Sequence, residues 1–184
     1  MPVSEKTFRQ VAMEDPEGHW ELCNGTLRQK PEMSGEHNHL MSDLHGGMWQ
    51  QLDRDRFAIR VNAGHVHLSV QGYYIPDLMV FPIDLERAQF GTHQLEWYEA
   101  PLTLVVEIWS PSTGTYDIET KIQEYQRRGD HEIWRLHPYE RTLTTWRRQP
   151  DGSYDVATYT SGTVTPVDLR DVTVDLDALF AALP

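Results

Sequence analysis

Cysteine is almost missing from this chain, with Cys23 alone among 184 residues. A single thiol excludes an intramolecular disulfide and suits a reducing compartment, so the cytoplasm is the expected location. Long apolar runs are missing too. No stretch is long enough to cross a bilayer, and the opening MPVSEKTFRQVAMED has neither a basic n-region nor an apolar h-region, so neither a membrane segment nor a targeting signal is expected. Positive charge is scarce: 16 Lys and Arg stand against 28 Asp and Glu, for a formal charge of −12. That balance weighs against a broadly basic face for nucleic acid, where phosphate contacts dominate affinity, but it leaves room for a local basic groove. Carboxylates gathered around a divalent cation would also make the metal-free chain look more acidic than the working species. No repeat, low-complexity tract or linker divides the sequence, and its length suits one domain, 1–184, with a substantial core.

What is there is organised around Leu102 to Arg128. Leu102 to Val106 is continuously apolar and rich in β-branched residues, as in a strand covered on both faces. Glu107 ends that run, and a carboxylate so placed has to be paired, protonated or bound to a cation. Ser110-Pro111-Ser112-Thr113-Gly114 supplies a turn. A helix follows, with Asp117 and Glu119 near its start, Arg127 and Arg128 in its last turn and Gly129 beyond. Asp117, Lys121 and Tyr125 recur at steps of four and share a face of that helix, from which Lys121 can lean back towards Glu107.

Local signals place the other elements. Ser4 to Met13 reads as a short helix capped by Ser4. His19 to Leu22 and Thr26 to Gln29 flank Asn24-Gly25 as a β-hairpin, with Glu21 on its first strand. Ser34 to Leu52 carries Leu40, Met41, Leu44, Met48 and Leu52 at helical spacing. Phe57 to Val61 and His65 to Val70 look like a second hairpin around Asn62-Ala63-Gly64. Ile75 to Pro82 is a further strand interrupted by Asp77, and the polar connection after it, Asp84 to Gln94, is partly helical. His131 to Leu136 and Thr142 to Arg148 form a hairpin, Val156 to Tyr159 and Val164 to Val167 another pair, and Asp175 to Ala182 a closing helix. His37 with His45, and His65 with His67, invite a metal reading, but no set completes a ligand motif. They read more simply as polar side chains on a helix and a strand.

Two acids in apolar strands, Asp77 and Glu107, with a lysine on the helix after the second, form a specific arrangement. Magnesium and similar hard cations take oxygen ligands and keep waters, so two convergent carboxylates are a sufficient protein contribution. A lysine nearby can orient a water or offset charge in the transition state. Phosphodiester hydrolysis needs these parts. The same residues also fit carboxylates that only accept hydrogen bonds from loops, beside a solvated lysine.

Pro76-Asp77, then Val106-Glu107-Ile108 running into Ser110-Pro111-Ser112-Thr113, then Asp117 with Lys121 and Tyr125, resemble the Uma-type endonuclease family of the PD-(D/E)XK nuclease superfamily, long labelled a domain of unknown function. The resemblance covers nearly the whole chain, through Trp20-Glu21-Leu22 with Asn24-Gly25 and Leu27, Glu36-His37, and Glu132-Ile133-Trp134. It implies an α/β (α+β) restriction-endonuclease-like fold, a mixed central β-sheet flanked by helices with additional hairpins. It also implies a Mg2+- or Mn2+-dependent nuclease acting on nucleic acid, DNA foremost. Asp77 and Glu107 would be its metal ligands, Lys121 its catalytic lysine, Glu21 a further site carboxylate, and His37, Asp117 and Tyr125 lining residues. The chain departs from the superfamily pattern at Trp109, two positions after the glutamate, where a lysine is usual. The lysine would then have migrated to the helix as Lys121.

An alternative from another class is a catalytically inactive module of the same fold that binds nucleic acid or a protein partner. A third reading is a cupin-like or hydrolytic site built on histidines. Paired strands, the expected exposure of Trp97 and Tyr98, and the resemblance point to a homodimer, which would offer two sites to the two strands of a duplex.

Overall fold

The structure, a computed structural model, describes residues 2–69, 72–112 and 114–183, leaving out the side chains of 68, 69 and 114–118. Its first elements follow the local signals. Ser4 caps α1 (Glu5–Glu14), its Oγ accepting the Thr7 N–H. Asn24 and Gly25, at φ 49° and 75°, supply the left-handed backbone that a two-residue turn needs between β1 (Trp20–Cys23) and β2 (Thr26–Gln29). Ser34 caps α2 (Gly35–Gln51) through the His37 N–H. The chain continues through β3 (Phe57–Val61), β4 (His65–Ser69), β5 (Gly72–Tyr74), β6 (Leu78–Pro82), α3 (Ile83–Arg87), β7 (Trp97–Tyr98) and β8 (Leu104–Ile108). It then forms α4 (Gly114–Arg128), β9 (Glu132–His137), β10 (Thr142–Arg148), β11 (Tyr154–Tyr159), β12 (Thr163–Val164), β13 (Val174–Asp175) and α5 (Leu176–Ala181).

The strands form a six-stranded sheet ordered β11-β10-β9-β8-β6-β3, a five-stranded sheet ordered β2-β1-β5-β4-β7, and the pair β12-β13. All five residues of β8 are buried, as the uninterrupted apolar run predicts for a central strand. β8 and β9 run parallel, so the chain must cross back between them, and α4 is that crossover. One core cluster lies on the α2 and α5 side of the large sheet, around Leu40, Leu44, Val106, Trp134 and Phe180. The other lies on the opposite side, where Ile122 and Tyr125 of α4 pack with Val105, Ile133 and Phe81 of the large sheet and Val66 of the small one. Helix α4 is therefore held between the two sheets. Among the described residues no helix is long and apolar enough to cross a membrane.

Two strand pairings differ from the sequence reading. β3 and β4 are not a hairpin: β3 pairs with β6 along all five residues, and β4 joins β5 and β7 in the other sheet. The Asn62–Gly64 turn carries the chain across instead. Gly64 sits at φ 74°, where a Cβ would meet Met79 Cε at 2.6 Å, so the turn is pressed against the core. β11 likewise pairs with β10 over six residues, leaving β12 to pair with β13 beside α5. In both cases a longer ladder captured a strand that local alternation had assigned elsewhere. Trp97 and Tyr98 are not exposed aromatics either. Tyr98 is buried with its hydroxyl on Glu96, and the Arg9 guanidinium lies 3.2 Å from the centre of the Trp97 ring.

Candidate active site

β6 and β8 pair antiparallel with Leu78 opposite Val106. Asp77 lies in the bend just before β6, and its carboxylate accepts the N–H of Ile108, the residue after Glu107. Helix α4 covers the face of the large sheet on which Glu107 lies, so it brings Lys121 and Tyr125 down onto that carboxylate. Tyr125 donates to Glu107 Oε1 at 2.6 Å, and Lys121 Nζ lies 3.6 Å from the same oxygen. Lys121 also donates to Glu21 Oε1 at 2.9 Å, an oxygen that accepts the Ile75 N–H at 2.8 Å. Glu21 thus faces inward from β1, and both sheets contribute to one charged cluster. Asp77, Glu107, Glu21 and Lys121 retain 1%, 3%, 4% and 5% of their accessible surface.

Asp77 is held from three directions. Its Oδ1 accepts from Lys30 Nζ at 2.8 Å, while Oδ2 bonds His37 Nε2 at 2.9 Å and the Ile108 N–H at 2.7 Å. His37 reaches it because the Ser34 cap fixes the start of α2. The Ser34 N–H in turn contacts Ser110 Oγ, and Ser112 Oγ donates to the Glu32 carbonyl. The Ser-Pro-Ser turn after β8 is therefore a brace between the central strand and α2. One step beyond Glu107 on the same face, Trp109 stacks on His137 at 4.5 Å, with Tyr139 edge-on to it and 51% exposed.

Burial alone would raise the Asp77 pKa, but Lys30, His37 and Lys121 outweigh it and hold the carboxyl below the ordinary range. Glu107 goes the other way: burial pushes it up to about 7 against the pull of Lys121, with repulsion from Asp77 adding to the rise. Burial disfavours the Lys121 ammonium, yet Glu107, Glu21 and Asp77 together keep it more firmly protonated than a lysine in water. Burial and the Glu107 charge raise Tyr125, which stays a donor. Three carboxylates thus face two ammonium groups in a volume closed to solvent.

The structure brings together Asp77, Glu107, Lys121, Glu21, His37 and Tyr125 of the residues picked from sequence. The Asp117 side chain lies outside the described residues. Lys30 was missed, because a lone lysine after a polar strand has no spacing to mark it. The histidine alternatives dissolve: His65 Nε2 bonds the Trp20 carbonyl, His67 stacks on Tyr73, and His45 lies against Trp49. Among the described residues no three His, Cys, Asp or Glu side chains are gathered so as to hold a metal ion. The Asp77 and Glu107 carboxylates are hard oxygen donors, the kind a divalent cation such as Mg2+ takes.

A mixed sheet with a buried carboxylate on its central strand and a second at the entry to the neighbouring strand, and with a lysine returned by the following helix, places the chain in the class of nuclease-type α/β folds. More particularly, it belongs to the Uma2 family, whose model, described as "Putative restriction endonuclease", matches residues 6–177. A solved structure, described as "a putative nuclease belonging to DUF820" from Anabaena variabilis ATCC 29413, is similar over 98% of this chain and 98% of its own, at 17% identity and a TM-score of 0.79. At that identity the likeness is one of fold. No curated protein matches the chain.

Proposed function

We propose that this protein is a nuclease hydrolysing phosphodiester bonds in nucleic acid, DNA foremost, with Mg2+ or Mn2+ held by Asp77 and Glu107. The observation that carries the reading is the convergence of Glu21, Glu107 and Lys121, from three separate elements, at a single ammonium group that also feels the Asp77 charge. A metal bound there supplies a water of lowered pKa and neutralises phosphate charge. The chain's own groups do the rest. Lys121, fixed by Glu21, presents a permanent positive charge to a water or a phosphate oxygen. Glu21 prevents that ammonium from swinging away, Tyr125 orients Glu107, and His37 with the Ile108 N–H fixes the Asp77 carboxylate. The Trp109–His137 stack and the exposed Tyr139 ring beside the site offer faces on which bases can stack, an attraction that tolerates a net acidic chain. We place the protein in the cytoplasm as a single domain. We also propose a homodimer joined through the edge strand β11, where Val156 is exposed.

The test is incubation of purified protein with Mn2+ or Mg2+ and supercoiled, linear or single-stranded DNA, and RNA. Cleavage is expected, falling about 10²- to 10³-fold in Asp77→Ala and Lys121→Ala, each checked for fold by circular dichroism. The reading is lost if every substrate stays intact with both metals and calorimetry finds no cation binding that Asp77→Ala removes. A second reading, an inactive module that binds nucleic acid or a protein partner, is favoured by the hydrogen bonds that already engage both oxygens of Asp77. Retained nucleic-acid binding without cleavage by any metal would select it.

A further inference from the structure

The nuclease reading gives Lys30 no task, although its ammonium is held as closely as that of Lys121. Lys30 follows β2 and is 8% exposed, so the fold strips water from a charged group to place it there. Nζ donates to Asp77 Oδ1 at 2.8 Å and to the Ile75 carbonyl at 2.9 Å, two residues before the acid. The contact is thus anchored at both ends of the same short segment.

A carboxylate offers about four lone-pair directions. On Asp77 the Lys30 ammonium takes one at Oδ1, and His37 and the Ile108 N–H occupy Oδ2. A metal ion reaching Asp77 must therefore share Oδ1 with a fixed positive charge or displace it. Repulsion between two cations on one buried oxygen is weakly screened, because the cluster is closed to solvent. Lys121 does not press on Asp77 in this way, since its direct contacts are with Glu21 and Glu107.

We propose that Lys30 sets the divalent-cation affinity of the site: its ammonium neutralises and aligns Asp77 in the resting protein, and a metal binds only against that charge. This inference rests on Asp77 being a metal ligand. Lys30 is a positioning residue in this scheme, and its effect is read in metal binding rather than in turnover.

The experiment is calorimetric titration of Mn2+ into the full chain and its variants. Lys30→Met, which keeps the buried stem and removes the charge, is expected to bind Mn2+ about tenfold tighter or more, while Lys30→Arg, which keeps the charge, stays within about threefold of the parent. Lys30→Gln, which keeps a donor for Asp77 without the charge, serves where Lys30→Met does not fold, and should also bind tighter. If the parent binds Mn2+ and neither neutral variant binds it more tightly, this inference is overturned while the metal reading stands. If the parent and both neutral variants take up no Mn2+, the metal reading falls and this inference with it.

Discussion

Buried charge decides the behaviour of individual residues in this protein, and it does so away from the site as well as within it. Asp130 is fully buried at the end of α4, accepting the Leu102 N–H at 2.6 Å and lying 3.0 Å from Arg128. Burial raises its carboxyl to about 6 even against the pull of Arg128. An unfolded aspartate titrates near about 3.9. Between those values the folded chain keeps a proton that the unfolded chain has released. The Asp130 contribution is therefore complete below about pH 4 and is lost as pH rises through about 6, with a slope of at most about 1.4 kcal/mol per pH unit. Urea melts across that range should show stability falling more steeply in the parent than in Asp130→Asn, and equal slopes would refute the assignment. At this scale Glu107, Asp77 and Lys121 were legible in the sequence because a charge breaks an apolar run or a helical face repeats. Lys30 breaks no pattern, so only its 2.8 Å contact with Asp77 reveals it.

At the scale of elements, α4 carries most of the consequence. It is the crossover between parallel neighbours, the filling between two sheets, and the support for Lys121 and Tyr125. It packs on both sheets, and the turn between β3 and β4 carries the chain from one sheet to the other. Gly64 makes that turn with a left-handed backbone closed to within van der Waals contact of Met79 and Tyr98. Gly64→Ala should therefore destabilise the fold by about 1–3 kcal/mol through strain and overpacking. A thermal melt unchanged from the parent would show that the turn yields freely. The helices, the Asn24-Gly25 hairpin and the β9–β10 hairpin were legible because caps, periodicity and turn residues are local. The partners of β3, β4 and β11 were not, since alternation identifies a strand but not its neighbour.

For the molecule as a whole, two sheets and a net charge of −12 meet at one buried polar cluster. An acidic chain gains little from long-range attraction to a polyanion, so a second copy that doubles the contact surface is the proposed route to a duplex. Light scattering should then give about twice the 21.4 kDa of one chain, and Val156→Asp on β11 should return it to one chain's mass. A single-chain mass for the parent protein at every concentration would dismiss the dimer.

The sequence by itself determined that Glu107 lies in a buried strand and that a helix with Lys121 and Tyr125 on one face follows it; the strand expected from Ile75 to Pro82 begins only after Asp77, which lies in a bend. The first two are consequences of period, composition and desolvation, all properties of short segments. Tertiary structure alone decided that the Asp77 carboxylate reaches the backbone beside Glu107, that Glu21 turns inward to hold Lys121, and that Lys30 closes on Asp77. Those contacts join residues 31 to 100 positions apart, through sheet pairing and the packing of α4 between two sheets. Register shifted by a single residue would point the same side chains to the other face.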